Sequence, residues 1–312
     1  MRSALPADST VVVALSGGAD SLALAAAVAF EAPKVGVTCI AVTIDHGLQE
    51  GSADVAAAAA GKARALGLEA RVVRVEVGAE GGPEAAARSA RYAALRAEAT
   101  ALGASAVLTA HTLDDQAETV LLGLARGSGA TSLQGMAPAT VLGEGVILLR
   151  PLLAVRRVVT LAACAADGLD PWTDPHNADP AYARVRVRSK VLPVLEAELG
   201  PGIAEALART AEQLREDAAA FEEMIDETIE DIVEHAEAGI SVSVPALTAN
   251  PAALRHRIIR HVVAAEFGQS LTRAQTLEVA RLVTDWSGQG PIDLPGCTAR
   301  RVGARLELTA RG

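Results

Sequence analysis

Residues 11–30 read VVVALSGGADSLALAAAVAF. The β-branched run Val11–Leu15 predicts a buried strand, and the Ala/Leu-rich Leu22–Phe30 predicts a helix. Between them stand Ser16, Gly17, Gly18, Ala19, Asp20 and Ser21, too few residues to link domains. A glycine pair directly before a helix lets main chain approach a ligand with no Cβ in the way. The first amides of a helix lack intrahelical acceptors, and the aligned peptide dipoles add positive charge there, so phosphate is a natural occupant. The hexapeptide is therefore either an anion cradle or a plain tight turn in which Asp20 or Ser21 caps the helix. It has neither the lysine of a Walker A loop nor a G-x-G-x-x-G pattern.

Working outward, strand-like and helix-like segments alternate. Val37–Ile44, Ala70–Val77 and Ala106–Ala110 predict strands. Ser52–Leu66, Pro83–Leu102 and Asp114–Ala125 predict helices. Repeated βα units imply a parallel sheet covered on both faces, with ligands at the C-terminal strand ends. The loops to inspect are Ser16–Ser21, Asp45–Glu50 and His111–Asp115. Past Arg126 a glycine-bearing loop, GSGATSLQGMAP, leads to VILLRPLLAVRR and a helix near Val155–Asp167. PWTDPHNADPAYARVRVRSKVLP is rich in Pro and Asp, then strongly basic. Helices resume near Val191, and Leu207–Ala236 is long, acidic and amphipathic. Two more helices, Pro251–Phe267 and Thr272–Asp285, precede a β-like end. LGPG near residue 200 marks a boundary, dividing the chain into residues 1–200 and a mainly helical 201–312.

The 312 residues are half hydrophobic, 2% aromatic and 21% charged, a globular composition. A net charge of −10 argues against nucleic-acid binding until its distribution is considered. Glu196–Glu237 holds 14 acids and two bases, Arg209 and Arg215, a net of −12 that leaves +2 for the rest. Three scattered cysteines, Cys39, Cys164 and Cys297, form no CxxC and fit a reducing compartment. No signal-peptide core or membrane-length apolar run is present, so a soluble cytoplasmic protein is expected.

A second chemical stretch is Leu108–Gly129, LTAHTLDDQAETVLLGLARGSG. His111 falls where a strand ends. Asp115 and Glu118 are three apart and Asp114 and Glu118 four apart, on one helical face. Thr112 and Asp115 suit a T-x-x-D capping box, yet three carboxylates and a histidine at a ligand-facing edge also suit a metal ion or an ammonium group.

SGGADS resembles the phosphate loop of the PP-loop ATPase superfamily, whose members split ATP between the α and β phosphates. SGGADS, DHGL, EAAARSARY, HTLDDQAET, RGSG, RPLL, WTDPHN and RVRVR followed by LP occur in that order. This set resembles tRNA(Ile)-lysidine synthetase over residues 11–195, and the acidic helical region with the terminal DLPG and RR resembles that family's following domain, as in its short members. The implied fold is α/β, a parallel doubly wound, adenine nucleotide α-hydrolase-like sheet followed by a smaller mainly helical domain. The implied reaction joins L-lysine to C2 of the wobble cytidine, position 34, of tRNA(Ile) with a CAU anticodon. It consumes ATP and releases AMP and pyrophosphate through an adenylated tRNA.

By the resemblance, Ser16, Gly17, Gly18, Ala19, Asp20 and Ser21 hold the ATP phosphates, with Asp20 as the Mg2+ ligand. Asp45 and His46 border the nucleotide. Arg91 and His111 face the α-phosphate, with Arg88 a weaker candidate, and Asp115 and Glu118 hold the lysine amine. Arg184, Arg186, Arg188 and Lys190 contact tRNA phosphates, forming one edge if on a strand and spreading around the chain if on a helix; a solvated surface is the plain alternative. Arg255, His256, Arg257, Arg260 and His261 form a second basic cluster. Trp172, Tyr182 and Tyr92 are the few candidates for base stacking, Tyr92 being better suited to a core. The resemblance admits a homodimer. Two departures stand out: Val185 where the family usually has Asn, and Thr112 where another His or Asn is common.

Three other readings compete. A tRNA thiolase would need sulfur-carrier or iron–sulfur cysteines, which these three do not suggest. An amidotransferase-type synthetase would need a glutaminase domain, for which 312 residues leave no room. A nucleotide-sensing protein without catalysis would keep the cradle but has no need of Arg91, Asp115 and Glu118.

Overall fold

The computed structural model describes residues 8–78, 80, 82–127, 129–143, 145–236 and 239–311. Of the stretches read above, the first seven residues, Ser128 of RGSG and Glu237 of the acidic segment lie outside the described residues. The chain forms two compact units, Met1–Arg215 and Glu216–Gly312.

The first unit runs β1 (Thr10–Ala14), α1 (Ala19–Glu31), β2 (Thr38–Asp45), α2 (Ser52–Ala65), β3 (Glu69–Arg74), α3 (Pro83–Ala101), β4 (Ala106–Leu108), α4 (Leu113–Arg126) and α5 (Ala130–Leu133). It continues with β5 (Ala139–Gly143), β6 (Val146–Leu149), α6 (Arg157–Ala166), α7 (Ala183–Arg186), α8 (Leu192–Leu199) and the start of α9 (Ile203–Ile232). The sheet order is β3-β2-β1-β4-β6-β5. All pairs are parallel except β5 with β6. The chain moves outward from β1 to β3, then returns to place β4 on the other side of β1. That reversal opens a crevice beyond the C-terminal ends of β1 and β4.

The valine run explains the central position of β1. Side chains alternate along a strand, and here both faces are buried. Val11 and Val13 join a cluster with Leu22, Leu24, Ala25 and Val28 of α1, Ala59 and Ala63 of α2, and Cys164 of α6. Val12 joins the opposite cluster with Leu95 and Ala99 of α3. Full burial of each valine stabilises the sheet by about 1.5–3 kcal/mol. The apolar run is thus continuous because neither face meets water.

A third cluster fixes the helices that flank the crevice. Leu113 and Ala117 of α4 pack on Val187, Leu192 and Ala204. Between α7 and α8, residues 187–191 form a π-helical turn, so the RVRVR segment is helical.

The second unit holds the remainder of α9, then β7 (Val233–Ala236), β8 (Gly239–Ser243), α10 (Val244–Ala249), α11 (Ala252–Phe267), α12 (Arg273–Thr284), β9 (Ile292–Leu294), β10 (Cys297–Val302) and β11 (Arg305–Ala310). Its strands form an antiparallel sheet ordered β7-β8-β11-β10-β9. Ile258, Ile259, Val262 and Val263 of α11 pack with Leu306 and Leu308 of β11 and Val279 of α12 in one core. The terminal β-like text is therefore one side of a five-stranded sheet, completed by β7 and β8, which the sequence reading did not assign.

Candidate active site

The loop after β1 is shaped by its serines and glycines. The Ser16 amide donates to Ser21 Oγ at 3.2 Å, and Ser21 Oγ donates to the Gly18 carbonyl at 2.9 Å. The two serine hydroxyls lie 3.1 Å apart. Gly17 has φ +83°, and a Cβ there would stand 3.2 Å from Ala59 Cβ. Its carbonyl accepts the Trp172 amide at 3.0 Å, so Trp172, read as a stacking candidate, is tied by its backbone to this loop. Gly18 is the N-cap of α1 and supplies no side-chain cap. Ser21 braces the loop without capping the helix, and Asp20 points its bonds elsewhere. The N-terminus of α1 thus carries no side-chain cap, the arrangement in which helix amides can receive an anion.

Asp45 and His46 end β2. Asp45 is buried and accepts the Gly47 amide at 2.9 Å. The Ser52 hydroxyl and the Gly47 N–H hold its carboxyl below the usual range. His46 is pushed down by burial, then by Arg91.

Around His111 three arginines gather, with Asp115 as the acid that acts on it. The guanidinium groups of Arg88 and Arg91 lie 5.0 and 5.2 Å from the Tyr92 ring, which itself packs against the α3 core. Burial pushes the Arg91 pKa below its ordinary value, with Arg88 and Arg184 adding repulsion. Burial also lowers Arg150, whose Nη1 donates to the Ala137 carbonyl at 2.6 Å. His111 is depressed to about 4, by burial first and then, against the pull of Asp115, by Arg91, Arg150 and Arg88. Its Nδ1 lies 3.1 Å from Thr109 Oγ1. At neutral pH His111 is therefore an uncharged hydrogen-bonding group. His46 Nδ1 and Arg150 Nε are buried without hydrogen-bond partners among the described residues. Such unpaired groups at a crevice carrying excess positive charge fit a polyanion.

Next to this corner the charges balance. Thr112 caps α4, and the capping box is complete: Asp115 Oδ2 accepts the Thr112 amide at 2.8 Å and its hydroxyl at 2.9 Å. Asp115 Oδ1 accepts Arg157 Nη2 at 2.8 Å. Burial raises the Asp115 pKa, but Arg157 and the two Thr112 donors outweigh it and hold the carboxyl low. Glu118 is fully buried and accepts Arg188 Nε at 2.7 Å, Arg188 Nη2 at 3.0 Å and Arg157 Nη1 at 3.2 Å. Arg184 Nε lies 3.7 Å from it. Arg157 Nε reaches Asp20 Oδ2 at 3.3 Å, and Thr160 Oγ1 donates to Asp20 Oδ1. Burial works against the charge on Arg157, but Asp115, Glu118, Asp20 and Asp114 together raise its pKa.

Asp114 does different work. Its Oδ2 accepts the backbone amide of Arg157 at 2.7 Å, at the start of α6, and its oxygens take Arg156 Nε at 3.3 Å. It joins α4 to α6 and the site has no need of it for a ligand.

The structure therefore brings Ser16–Ser21, His111, Asp115, Glu118 and Asp20 to one crevice, with Arg91 acting on His46 and His111. It separates the four basic residues of the RVRVR segment. Arg184 and Arg188, four apart on a helix, face α4 and pair with Glu118. Arg186 and Lys190 are exposed, Arg186 donating to the Pro180 and Ala181 carbonyls at 2.7 Å. Sequence reading missed Arg150, Arg156, Arg157 and Thr160. The only trace of them was RPLL and the arginine pair that follows it.

Metal chemistry has a narrow basis here. Among the described residues no three His, Cys, Asp or Glu side chains gather as metal ligands. Mg2+ commonly enters with nucleotide phosphates and one or two carboxylates, and Asp20 beside the α1 N-terminus fits that role. Cys39, Cys164 and Cys297 are buried on separate elements, and burial pushes the Cys39 thiol up to about 11.

Comparison with known proteins shows the family of the chain. The sequence pattern of the PP-loop domain matches residues 3–195, and that of the TilS substrate binding domain matches residues 243–307. The tRNA(Ile)-lysidine synthase of Leifsonia xyli subsp. xyli is 62% identical over 288 residues, 92% of this chain and 85% of that protein. Those of Salinispora tropica and Streptomyces coelicolor are 55% and 52% identical, over 94% and 97% of this chain and 88% and 86% of theirs. Among solved structures, the U34-tRNA thiolase NcsA from Methanococcus maripaludis with its [4Fe-4S] cluster shares the fold at TM-score 0.60 and 21% identity, covering 69% of this chain and 75% of that one. With a PP-loop domain over residues 3–195 and relatives at 52–62% identity over nearly the whole chain, the chain belongs to the tRNA(Ile)-lysidine synthase family.

Proposed function

We propose that the protein ligates L-lysine to C2 of the position-34 cytidine of tRNA(Ile) with a CAU anticodon, consuming ATP and giving lysidine, AMP and pyrophosphate. One observation carries the reading: a helix N-terminus free of side-chain caps and a buried carboxylate pair share the crevice between β1 and β4.

The chemistry distributes over these residues as follows. The amides at Gly18–Ser21 take the β and γ phosphates, which leave as pyrophosphate, and Asp20, whose oxygens are held by Arg157 and Thr160, is the carboxylate that would hold Mg2+ in exchange for the Arg157 bond. The cytidine C2 oxygen attacks the α-phosphorus, the α–β bridging bond breaks, and an adenylated C2 results. Arg91 and neutral His111 donate to the α-phosphate oxygens, where negative charge grows. Donation through Nε2 calls for the tautomer with its proton there, in which Thr109 Oγ1 donates to Nδ1. Asp115 and Glu118 receive the lysine ammonium; after deprotonation the amine attacks C2 and AMP leaves with the bonding electrons. A free amine of pKa about 10.4 is almost wholly protonated at neutral pH, so a base must act, and Glu118 and a phosphate oxygen are the two candidates. Arg186 and Lys190, exposed on the α7–α8 segment, are the phosphate contacts for tRNA, with the cytidine splayed from its loop into the crevice. Such work belongs in the cytoplasm, and among the described residues no helix is long and apolar enough to cross a membrane.

The test is incubation with ATP, labelled lysine and an unmodified tRNA(Ile) transcript. The expected result is equal release of AMP and incorporation of lysine, both dependent on the CAU anticodon. tRNA-dependent AMP release without lysine incorporation contradicts it and points to another nucleophile.

A further inference from the structure

An ammonium group can settle on Asp115 and Glu118 only where an oxygen is open to it, and in the structure each oxygen already has a donor. Asp115 Oδ2 serves Thr112 twice, at 2.8 and 2.9 Å, and Oδ1 serves Arg157 at 2.8 Å. Glu118 Oε1 serves Arg188 at 2.7 Å and Arg157 at 3.2 Å, and Oε2 serves Arg188 at 3.0 Å. Arg184 also stands 3.7 Å from Glu118 beside the two guanidinium groups that hydrogen-bond the pair, so an added cation sets four positive charges against these two carboxylates. One guanidinium has to leave.

The two candidates are not equivalent. Arg188 binds Glu118 through two donors, and Glu118 is fully buried. Moving Arg188 would strip a buried carboxylate of its main partner, a costly change. Arg157 instead spreads its fork over Asp20, Asp115 and Glu118, one bond to each, at 3.3, 2.8 and 3.2 Å. It is the first residue of α6, and its backbone amide is anchored on Asp114 independently of the side chain. Its third partner, Asp20, stands in the first turn of α1, beside the amides that cradle an anion. A polyphosphate seated there offers Arg157 a competing set of anionic oxygens, and a planar guanidinium pairs with phosphate through the same fork.

We propose that Arg157 is a positioning residue that orders substrate binding: it holds the carboxylate pair closed to lysine until a polyphosphate on the α1 N-terminus draws it away. The exchange conserves charge, one guanidinium leaving as one ammonium arrives; it frees the short bond on Asp115 Oδ1, which keeps Arg188 Nη2 at 3.5 Å, and a share of Glu118 Oε1 together. Nucleotide and amine are then positively coupled through a side chain that touches both sites. This rests on the reading that Asp115 and Glu118 receive lysine.

Equilibrium dialysis of labelled L-lysine against the full chain, with and without α,β-methylene-ATP and Mg2+, tests it. The wild-type protein should bind lysine roughly tenfold more tightly with the analogue, within the usual span of such couplings. Arg157→Gln should bind lysine well without the analogue, and its ratio should fall to within about twofold. Arg157→Lys, which keeps the charge but loses the fork, should show a ratio between the two. Thermal melts of all three verify folding; if Arg157→Gln does not fold, the wild-type ratio and Arg157→Lys decide. A wild-type ratio of one, or an unchanged ratio in a folded Arg157 variant, overturns the ordering. Absence of lysine binding under every condition, with tRNA present as well, overturns instead the assignment of the carboxylate pair.

Discussion

Two adjacent corners of one crevice handle charge in opposite ways. Around His111, Arg88, Arg91 and Arg150 face one another with few acids between them, and the fold depresses the pKa of Arg91, Arg150 and His111. Around Glu118, Arg157, Arg184 and Arg188 stand within 3.7 Å of its carboxylate, and Asp20 and Asp115 share Arg157. The first corner is a charge imbalance maintained by the fold, which is what a site for a polyanion requires. The second is close to neutral and owes its order to mutual pairing. A single substitution should therefore cost stability in the second corner and activity alone in the first.

The largest expected effect is at Glu118. Glu118→Gln leaves three guanidinium groups without their shared counter-ion and should lower unfolding free energy by about 3 kcal/mol, read by urea denaturation, while abolishing lysine incorporation. A variant as stable as wild type would mean the pairing is not what orders that corner. Arg91→Gln is the converse. It should change stability by less than about 1 kcal/mol yet slow AMP formation about 100-fold, measured by single-turnover pyrophosphate release. Equal losses of stability and rate would erase the distinction between the corners.

Gly17→Ala tests the cradle itself. At φ +83° an L-residue is strained by about 1–2 kcal/mol, and the added methyl presses on Ala59. Weaker nucleotide binding by equilibrium dialysis should accompany the loss of stability.

pH separates the corners further. His111 titrates near 4 in the fold against an ordinary 6.5. Its contribution to stability is intact above the ordinary value and falls as pH drops from about 6.5 to about 4, because the unfolded chain takes up the proton first. Asp115 is shifted below the carboxylate range, so its contribution persists to lower pH and is lost only as pH falls through that depressed value. His111→Gln should flatten the stability profile between pH 6.5 and 4 and leave the more acidic limb in place. An unchanged upper limb would show that another group carries it.

The smallest effect concerns tRNA. Replacing Arg186 and Lys190 by Ala should reduce the salt slope of tRNA binding by about one per lost phosphate contact. Replacing Arg184 should alter the lysine response more than that slope. The reverse result would exchange the roles of the two faces of the α7–α8 segment.

How much of this was legible depends on how local each cause is. Val11–Val13 announce a strand buried on both faces because every residue of the run meets a core. Thr112 and Asp115 announce a helix start within four residues. Arg157 gives no such signal. An arginine opening a helix reads as a solvated surface group, and its partners Asp20, Asp115 and Glu118 stand 137, 42 and 39 residues away. Alternation in RVRVR suits strand and helix alike; the α4 face formed by Leu113 and Ala117 selects the helix and with it the partition of Arg184 and Arg188 from Arg186 and Lys190. In the second unit, β7 follows directly on α9, so no turn residue marks its beginning.

A crystal structure grown with α,β-methylene-ATP, Mg2+ and L-lysine bears most directly on the central claim. The account predicts phosphate oxygens on the amides of residues 18–21, an ammonium between Asp115 and Glu118, and Arg157 turned toward the polyphosphate. Nucleotide bound elsewhere, with Arg157 still shared among the three carboxylates, would contradict it.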